Sequence, residues 1–220
     1  KIFFVTPELS MSLGKGEKAD SLIKLMTELY SSRPYPLTKA TVTRGEATMI
    51  GHCVNWLAGT TVEWLHSCVP PEAIKGGFWG RTSSITAEYD LDTRYRRPLY
   101  PPDYDRVVAY LHEQLDLLTH VEGELRMTPE AERVEGIWYE WRPKPDDVDL
   151  VPNWKRGHDM LLKLSMLFSL AEGPDLWITP HHLELAQGIM KTTAKGLPEL
   201  IESASVTPDT VGVALVVRLM

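Results

Sequence analysis

Apolar and polar positions follow two rhythms along this chain, and the change falls near residue 100. Before it, short β-rich runs alternate with helical stretches. Residues 2–5 form an uninterrupted apolar run, as expected of a strand buried on both faces, and Thr6-Pro7-Glu8 breaks it. Leu22, Ile23, Leu25, Met26, Leu29 and Tyr30 recur at helical spacing, and Arg33-Pro34-Tyr35-Pro36 stops that helix. The threonine-rich alternation over 38–48 predicts a hairpin or a paired strand. A second apolar run over 52–58 predicts another strand, and 62–67 suits a short helix. The glycine-rich turn Gly76-Gly77-Phe78-Trp79-Gly80-Arg81 then leads into a third expected strand over 82–87.

Leu99-Tyr100-Pro101-Pro102 marks a boundary, and after it only helical patterns occur. The first covers 104–125, with Val107, Val108, Leu111, Leu115, Leu117 and Leu118 on its apolar side. Thr128-Pro129-Glu130 starts the next, with threonine at the N-cap and proline in the first turn. The acidic, proline-containing stretch 143–152 reads as a loop, and 154–172 as a helix. Ile178-Thr179-Pro180 begins another, running to about Ala194, and Val206-Thr207-Pro208-Asp209 begins the last. This order predicts an α/β sheet domain at 1–100, an all-α helical domain at 101–205, and the start of a further helix over 206–220. A core strand at the first residues and an amphipathic segment at the last suggest a protein that continues past both ends.

Composition narrows the classes. Hydrophobic residues make up 43% and charged residues 24%, enough apolar material for a core. The formal net charge of −7 argues against a surface coated for nucleic acid, so any such contact is a local patch. The basic clusters are Arg94, Arg96 and Arg97, and Lys155 with Arg156. Two cysteines, Cys53 and Cys68, make no disulfide framework and point to a reducing, cytoplasmic compartment. No apolar run is long enough to span a bilayer and no signal peptide is visible, so no membrane association is expected.

Three constellations could carry chemistry. Glu8 follows an apolar strand, which sets a carboxylate at the carboxyl edge of a sheet, where open α/β folds bind ligands. Leu57-Ala58-Gly59-Thr60-Thr61 ends the second such strand in two hydroxyls, able to hold a water or a phosphate oxygen; Thr60 also reads as the cap of the helix beginning near Val62, and both can be true. Arg81 closes a glycine-rich loop, a setting from which arginine reaches phosphate, or simply a surface turn. A metal site from His52, Cys53, His66 and Cys68 is disfavoured, because adjacent strand residues face opposite ways. His181 and His182, in a first helical turn, read as surface residues, and most of the seven tryptophans as packing.

The order of these elements resembles the second half of the RecA-like P-loop ATPase domain of phage and prophage primase–helicase-like replication proteins. The likeness rests on Thr6-Pro7-Glu8-Leu9-Ser10, Leu57-Ala58-Gly59-Thr60-Thr61 with Trp64-Leu65, and Gly76-Gly77-Phe78 with Arg81. It continues through Lys163-Leu164-Ser165-Met166 and Ile178-Thr179-Pro180-His181-His182-Leu183, and spans most of 1–195. The resemblance implies ATP and Mg2+ as cofactors, single-stranded DNA as partner, and self-association as a ring or other oligomer. It makes Glu8 the catalytic acid after the Walker B strand, Thr60 and Thr61 the nucleotide-sensing hydroxyls, and Arg81 an arginine finger. Two departures stand out. No G-x-x-x-x-G-K-[ST] phosphate loop occurs in these 220 residues, so it is expected upstream. Pro7 stands where many relatives carry an aspartate, and proline offers magnesium no side-chain ligand. A non-catalytic, degenerate ATPase module for scaffolding or DNA docking is the alternative, and a viral DNA-packaging motor a third reading.

Overall fold

A strand needs a neighbour to satisfy its backbone, and the first five-residue run finds one far along the chain. In the computed structural model, β1 (Ile2–Thr6) pairs in parallel with β4 (Val54–Ala58), in register from Ile2 opposite Val54 to Thr6 opposite Ala58. Between them lie α1 (Leu9–Leu13), α2 (Glu17–Leu29) and an antiparallel hairpin of β2 (Leu37–Thr41) and β3 (Gly45–Met49). The hairpin bears out the threonine-rich alternation: Thr38 and Thr48 face each other, hydroxyl to hydroxyl, at 3.1 Å. The structure describes residues 2–14, 16–31, 36–41, 45–61, 64–65, 68–70, 73, 77–87 and 100–205.

The chain is mixed α/β and divides into two compact units. The first takes its residues from 1–83, 145–156 and 196–220, the second from 84–144 and 157–195. Neither is one continuous stretch of chain. The core of the first unit gathers Leu9 and Leu13 of α1, Ile23 of α2, and Leu65, Val69 and Trp79. Each fully buried leucine contributes roughly 2 kcal/mol of burial free energy. Trp56 of β4 packs on this core and partly covers one face of the strand pair, although Phe4 opposite it is 42% exposed. The other face is not: Val5 and Leu57, directly opposite one another, are 60% and 61% exposed.

The second unit contains α3 (Tyr104–Thr119), α4 (Pro129–Trp141), most of α5 (Val151–Glu172) and the first part of α6 (Pro180–Ser205). Its core is Ala131, Leu161, Ile178, Leu183 and Ala186. Two two-residue strands, β5 (Arg126–Met127) and β6 (Trp177–Ile178), pair in parallel, and each runs directly into a Thr-Pro helix start. Arg126 N–H donates to the Leu176 carbonyl at 2.9 Å and Thr128 N–H to that of Ile178 at 3.0 Å. Leu176 holds a left-handed backbone (φ 57°), an arrangement that costs about 1 kcal/mol. Gly123 beside it holds φ 139°, a backbone that side chains rarely adopt, and a Cβ there would also have to displace Leu176 Cδ1, 2.7 Å away.

Several expectations change. Residues 82–87 form no strand; Thr82 closes a 3-10 turn over Trp79–Arg81, its hydroxyl donating to the Phe78 carbonyl at 3.1 Å. Thr82 itself is extended, at φ −113° and ψ 129°, but among the described residues no ladder partner is present. The region expected to be all helical carries the β5–β6 pair. The first long helix stops at Thr119, where Thr119 Oγ1 donates to the Asp116 carbonyl at 2.7 Å. The supposed loop at 143–152 contains a 3-10 turn at Val148–Leu150 and the first turn of α5. The last described helix passes through Pro198 to Ser205, well beyond Ala194. The basic residues Arg94, Arg96 and Arg97, His66, and the helix expected over 206–220 lie outside the described residues. The strands that are described form three separate two-stranded pairs. Among the described residues, no helix is long and apolar enough to cross a membrane.

Candidate functional site

The parallel register of β1 and β4 brings their carboxyl ends side by side, and with them two of the residues singled out by sequence. Thr60 Oγ1 donates to Glu8 Oε1 at 2.7 Å, across fifty-two residues of chain. The backbone continues the pairing past the strands: Gly59 N–H donates to the Thr6 carbonyl at 3.2 Å and Leu9 N–H to that of Gly59 at 2.8 Å. Such an approach requires a small residue, because a Cβ on Gly59 would lie 3.0 Å from the Pro7 carbonyl oxygen. Trp56 Nε1 donates to Thr6 Oγ1 at 2.6 Å, which ties the two strands together just below the site.

Glu8 has a second task. In extended backbone conformation it is the N-cap of α1, accepting from Ser10 N–H at 3.3 Å. The Thr60 hydroxyl chiefly holds its carboxyl below the usual range; desolvation opposes it next, and the Ser10 and Leu9 donors add smaller lowering effects. Thr60, Thr61 and Gly59 are exposed, so the carboxylate–hydroxyl pair is open to solvent. Thr61 is not part of the pair. Its Oγ1 accepts from Trp64 N–H at 3.3 Å and its carbonyl from Leu65 N–H at 2.9 Å, so Thr61 rather than Thr60 caps the turn that follows.

Arg81 sits at the end of the 3-10 turn in the same unit, half-buried. Its Nη1 donates to the Gly77 carbonyl at 2.6 Å, and its guanidinium lies 5.7 Å from the centre of the Tyr30 ring. The turn is anchored from below: Asn153 Nδ2 donates to the Trp79 carbonyl at 3.2 Å, and Gly80 lies tight against Pro152. Arg81 is thus folded onto its own loop. Among the described residues, the hydrogen bonds of Glu8 and Thr60 go to other partners.

Two further polar clusters belong to the second unit, and sequence reading passed over both. His182, expected at the surface, is only 4% exposed. Its Nδ1 accepts from Thr179 N–H at 3.0 Å and its Nε2 meets Glu172 Oε2 at 2.9 Å, which assigns the proton to Nε2. This is the reciprocal half of a capping box, with histidine at the third helical position in place of the usual glutamate. The Thr179-x-x-His182 spacing was the available signal. Glu172 also meets His181 Nε2 at 3.3 Å, and the bond from His182 chiefly holds the Glu172 carboxyl below its ordinary range. The other cluster pairs His158 Nε2 of α5 with Glu135 Oε1 of α4, beside a shallow open depression lined also by Gly136, Tyr139 and Glu140. The Tyr139 ring meets His158 edge-on, with centres 4.9 Å apart.

Among the described residues, no group of three histidine, cysteine or carboxylate side chains is arranged to hold a metal ion. Glu8 and Thr60 present oxygen atoms to solvent, while the sequence contains no phosphate-cradling loop. No protein-family model matches this chain, and no curated protein matches it either.

Proposed function

We propose that this chain is the back half of a RecA-like ATPase core with its helical attachment, part of an oligomeric, ATP-driven DNA helicase or translocase of phage-type replication in the cytoplasm. The observation that carries this reading is the Glu8–Thr60 hydrogen bond across the carboxyl ends of adjacent parallel strands, the edge at which open α/β sheets bind ligands. Bound magnesium–ATP would supply the phosphoanhydride to be cleaved; its phosphate loop would come from residues outside this stretch. Glu8, ionised at neutral pH, orients a water and polarises its O–H bond; its lowered pKa suits that task better than outright proton removal. Thr60 fixes the rotamer of Glu8 and offers its oxygen to the same water. Arg81 serves a neighbouring subunit only by exchanging the Gly77 carbonyl for a phosphate oxygen.

The test is Glu8→Gln in the full-length protein. Binding survives, read as thermal stabilisation by saturating magnesium–ATP, while turnover falls by roughly a hundredfold or more. Unchanged turnover would remove Glu8 from the mechanism.

A non-catalytic module is the second reading, favoured by one observation: the same Glu8 oxygen that accepts from Thr60 also accepts from Ser10 N–H and caps α1. Pro7 beside it offers no metal ligand. On this reading magnesium–ATP leaves the melting temperature of the full-length protein unmoved.

A further inference from the structure

The helix α3 is amphipathic, yet none of its sixteen residues is buried and it joins neither core cluster. A helix of that length is marginal in water by itself, so its apolar side needs a partner. The spacing of that side says which kind. Tyr104, Val108, Leu111, Leu115 and Leu118 follow one another at intervals of four, three, four and three. This is the heptad seam of a coiled coil, with Val108 and Leu115 at a positions and Tyr104, Leu111 and Leu118 at d positions. Three of the five are more than two-fifths exposed: Tyr104 at 43%, Leu111 at 51% and Leu115 at 60%.

We infer that α3 is a self-association helix whose occupant is α3 of a second copy, parallel and in register. Of the two a positions Val108 is β-branched and Leu115 is not; Val108 with leucine at the following d position, Leu111, is the pairing that favours two parallel strands. The flanking residues permit it. In register, Val107 meets His112 of the other copy and Gln114 meets Thr119, so no like-charged pair opposes the seam. The polar side argues against other surfaces: Asp105, Glu113 and Asp116 stand against a single cation, Arg106, and no lysine is present. That balance repels nucleic acid and anionic lipid alike. Two helices about 24 Å long make a small interface, so the association is weak and concentration-dependent. The inference is independent of any nucleotide chemistry.

Analytical ultracentrifugation of the 220-residue chain across a range of concentrations tests it. A monomer–dimer equilibrium is expected. Leu111→Glu, which keeps a good helix former, should abolish the dimer. Leu117→Glu, equally exposed but off the seam, should preserve it. Because α3 contributes nothing to either core, both variants should retain the parent melting temperature at low concentration. A Val108→Cys variant with Cys53 and Cys68 replaced by serine should form a 108–108 disulfide on mild oxidation, mapped by peptide mass. A monomer at every concentration overturns the inference. So does a dimer indifferent to Leu111→Glu, or one equally sensitive to Leu117→Glu. A dimer that never yields the 108–108 link overturns the parallel register.

Discussion

Among the described residues lie two parallel strand pairs, and they are buried to different depths. The β1–β4 pair is five residues long and well matched in register, but one of its faces is only partly covered, and Val5 and Leu57 remain mostly exposed on the other. The β5–β6 pair is only two residues long, yet Ile178 is almost wholly buried and the helix that follows carries the fully buried Leu183 and Ala186. Both pairs keep one face open, since Arg126 and Trp177, opposite one another, are exposed too; what differs is how fully the other face is buried, and length does not substitute for that. Each pair also places a carboxylate against a donor from elsewhere in the chain: Thr60 on Glu8 in the first, His182 on Glu172 in the second. The first contact is open to solvent. The second is half closed by a histidine that also caps a helix. The difference separates a site able to meet a ligand from one that holds a fold together.

The largest test of this contrast is Leu183→Ala. Removing a fully buried side chain from the β5–β6 region should cost about 3 kcal/mol in denaturant unfolding. Leu57→Ala in the other pair should cost less than about 0.5 kcal/mol in this chain. In a longer protein whose further strands or helices cover that face, the same substitution should approach the cost of a core mutation. A small cost there too would mean that the face stays open, and would weaken the reading of β1–β4 as half of a larger sheet.

His182→Ala should come next. It removes the acceptor for Thr179 N–H and the donor to Glu172, so about 1 kcal/mol of stability is expected to go, with local fraying of α6 visible in hydrogen exchange. A loss as small as that of an ordinary surface substitution would return His182 to the surface role its sequence suggests.

The smallest effect belongs to Thr60→Val, and its signature is a dependence on pH. The folded Glu8 carboxyl titrates below its unfolded counterpart, so between the two pKa values the unfolded chain binds more protons and stability rises with pH. The contribution from Thr60 is therefore full above the ordinary carboxylate range and disappears as pH falls through the lowered value. Parent and variant melting curves should differ at neutral pH and converge in acid. A gap that persists unchanged in acid would show that the threonine acts through packing alone.

Much of this was legible from residue order. The helices of the second half, the hairpin, and the Thr128-Pro129 start follow from periodicity and capping chemistry, which act within a few residues of chain. Thr128 Oγ1 accepts from Ala131 N–H at 3.2 Å, as its position before a proline suggests. Glu8 and Thr60 could be marked as strand-end polar residues, each with two readings. What joined them was the β1–β4 register, fifty-two residues apart, and that same register passed the cap to Thr61. Residues 82–87 look like a strand because alternation is local, but a ladder also needs a partner, and sequence does not name one.

The sequence by itself therefore determined that the second half is mainly helical, that the threonine-rich run pairs, and that α3 is amphipathic, because these are written in spacings of two to four residues. Only the tertiary structure decided that His182 is buried, that Glu8 caps a helix while accepting from Thr60, and that Arg81 folds onto its own loop. Burial and long-range hydrogen bonds depend on which surfaces meet, and that is settled by the packing of the whole chain.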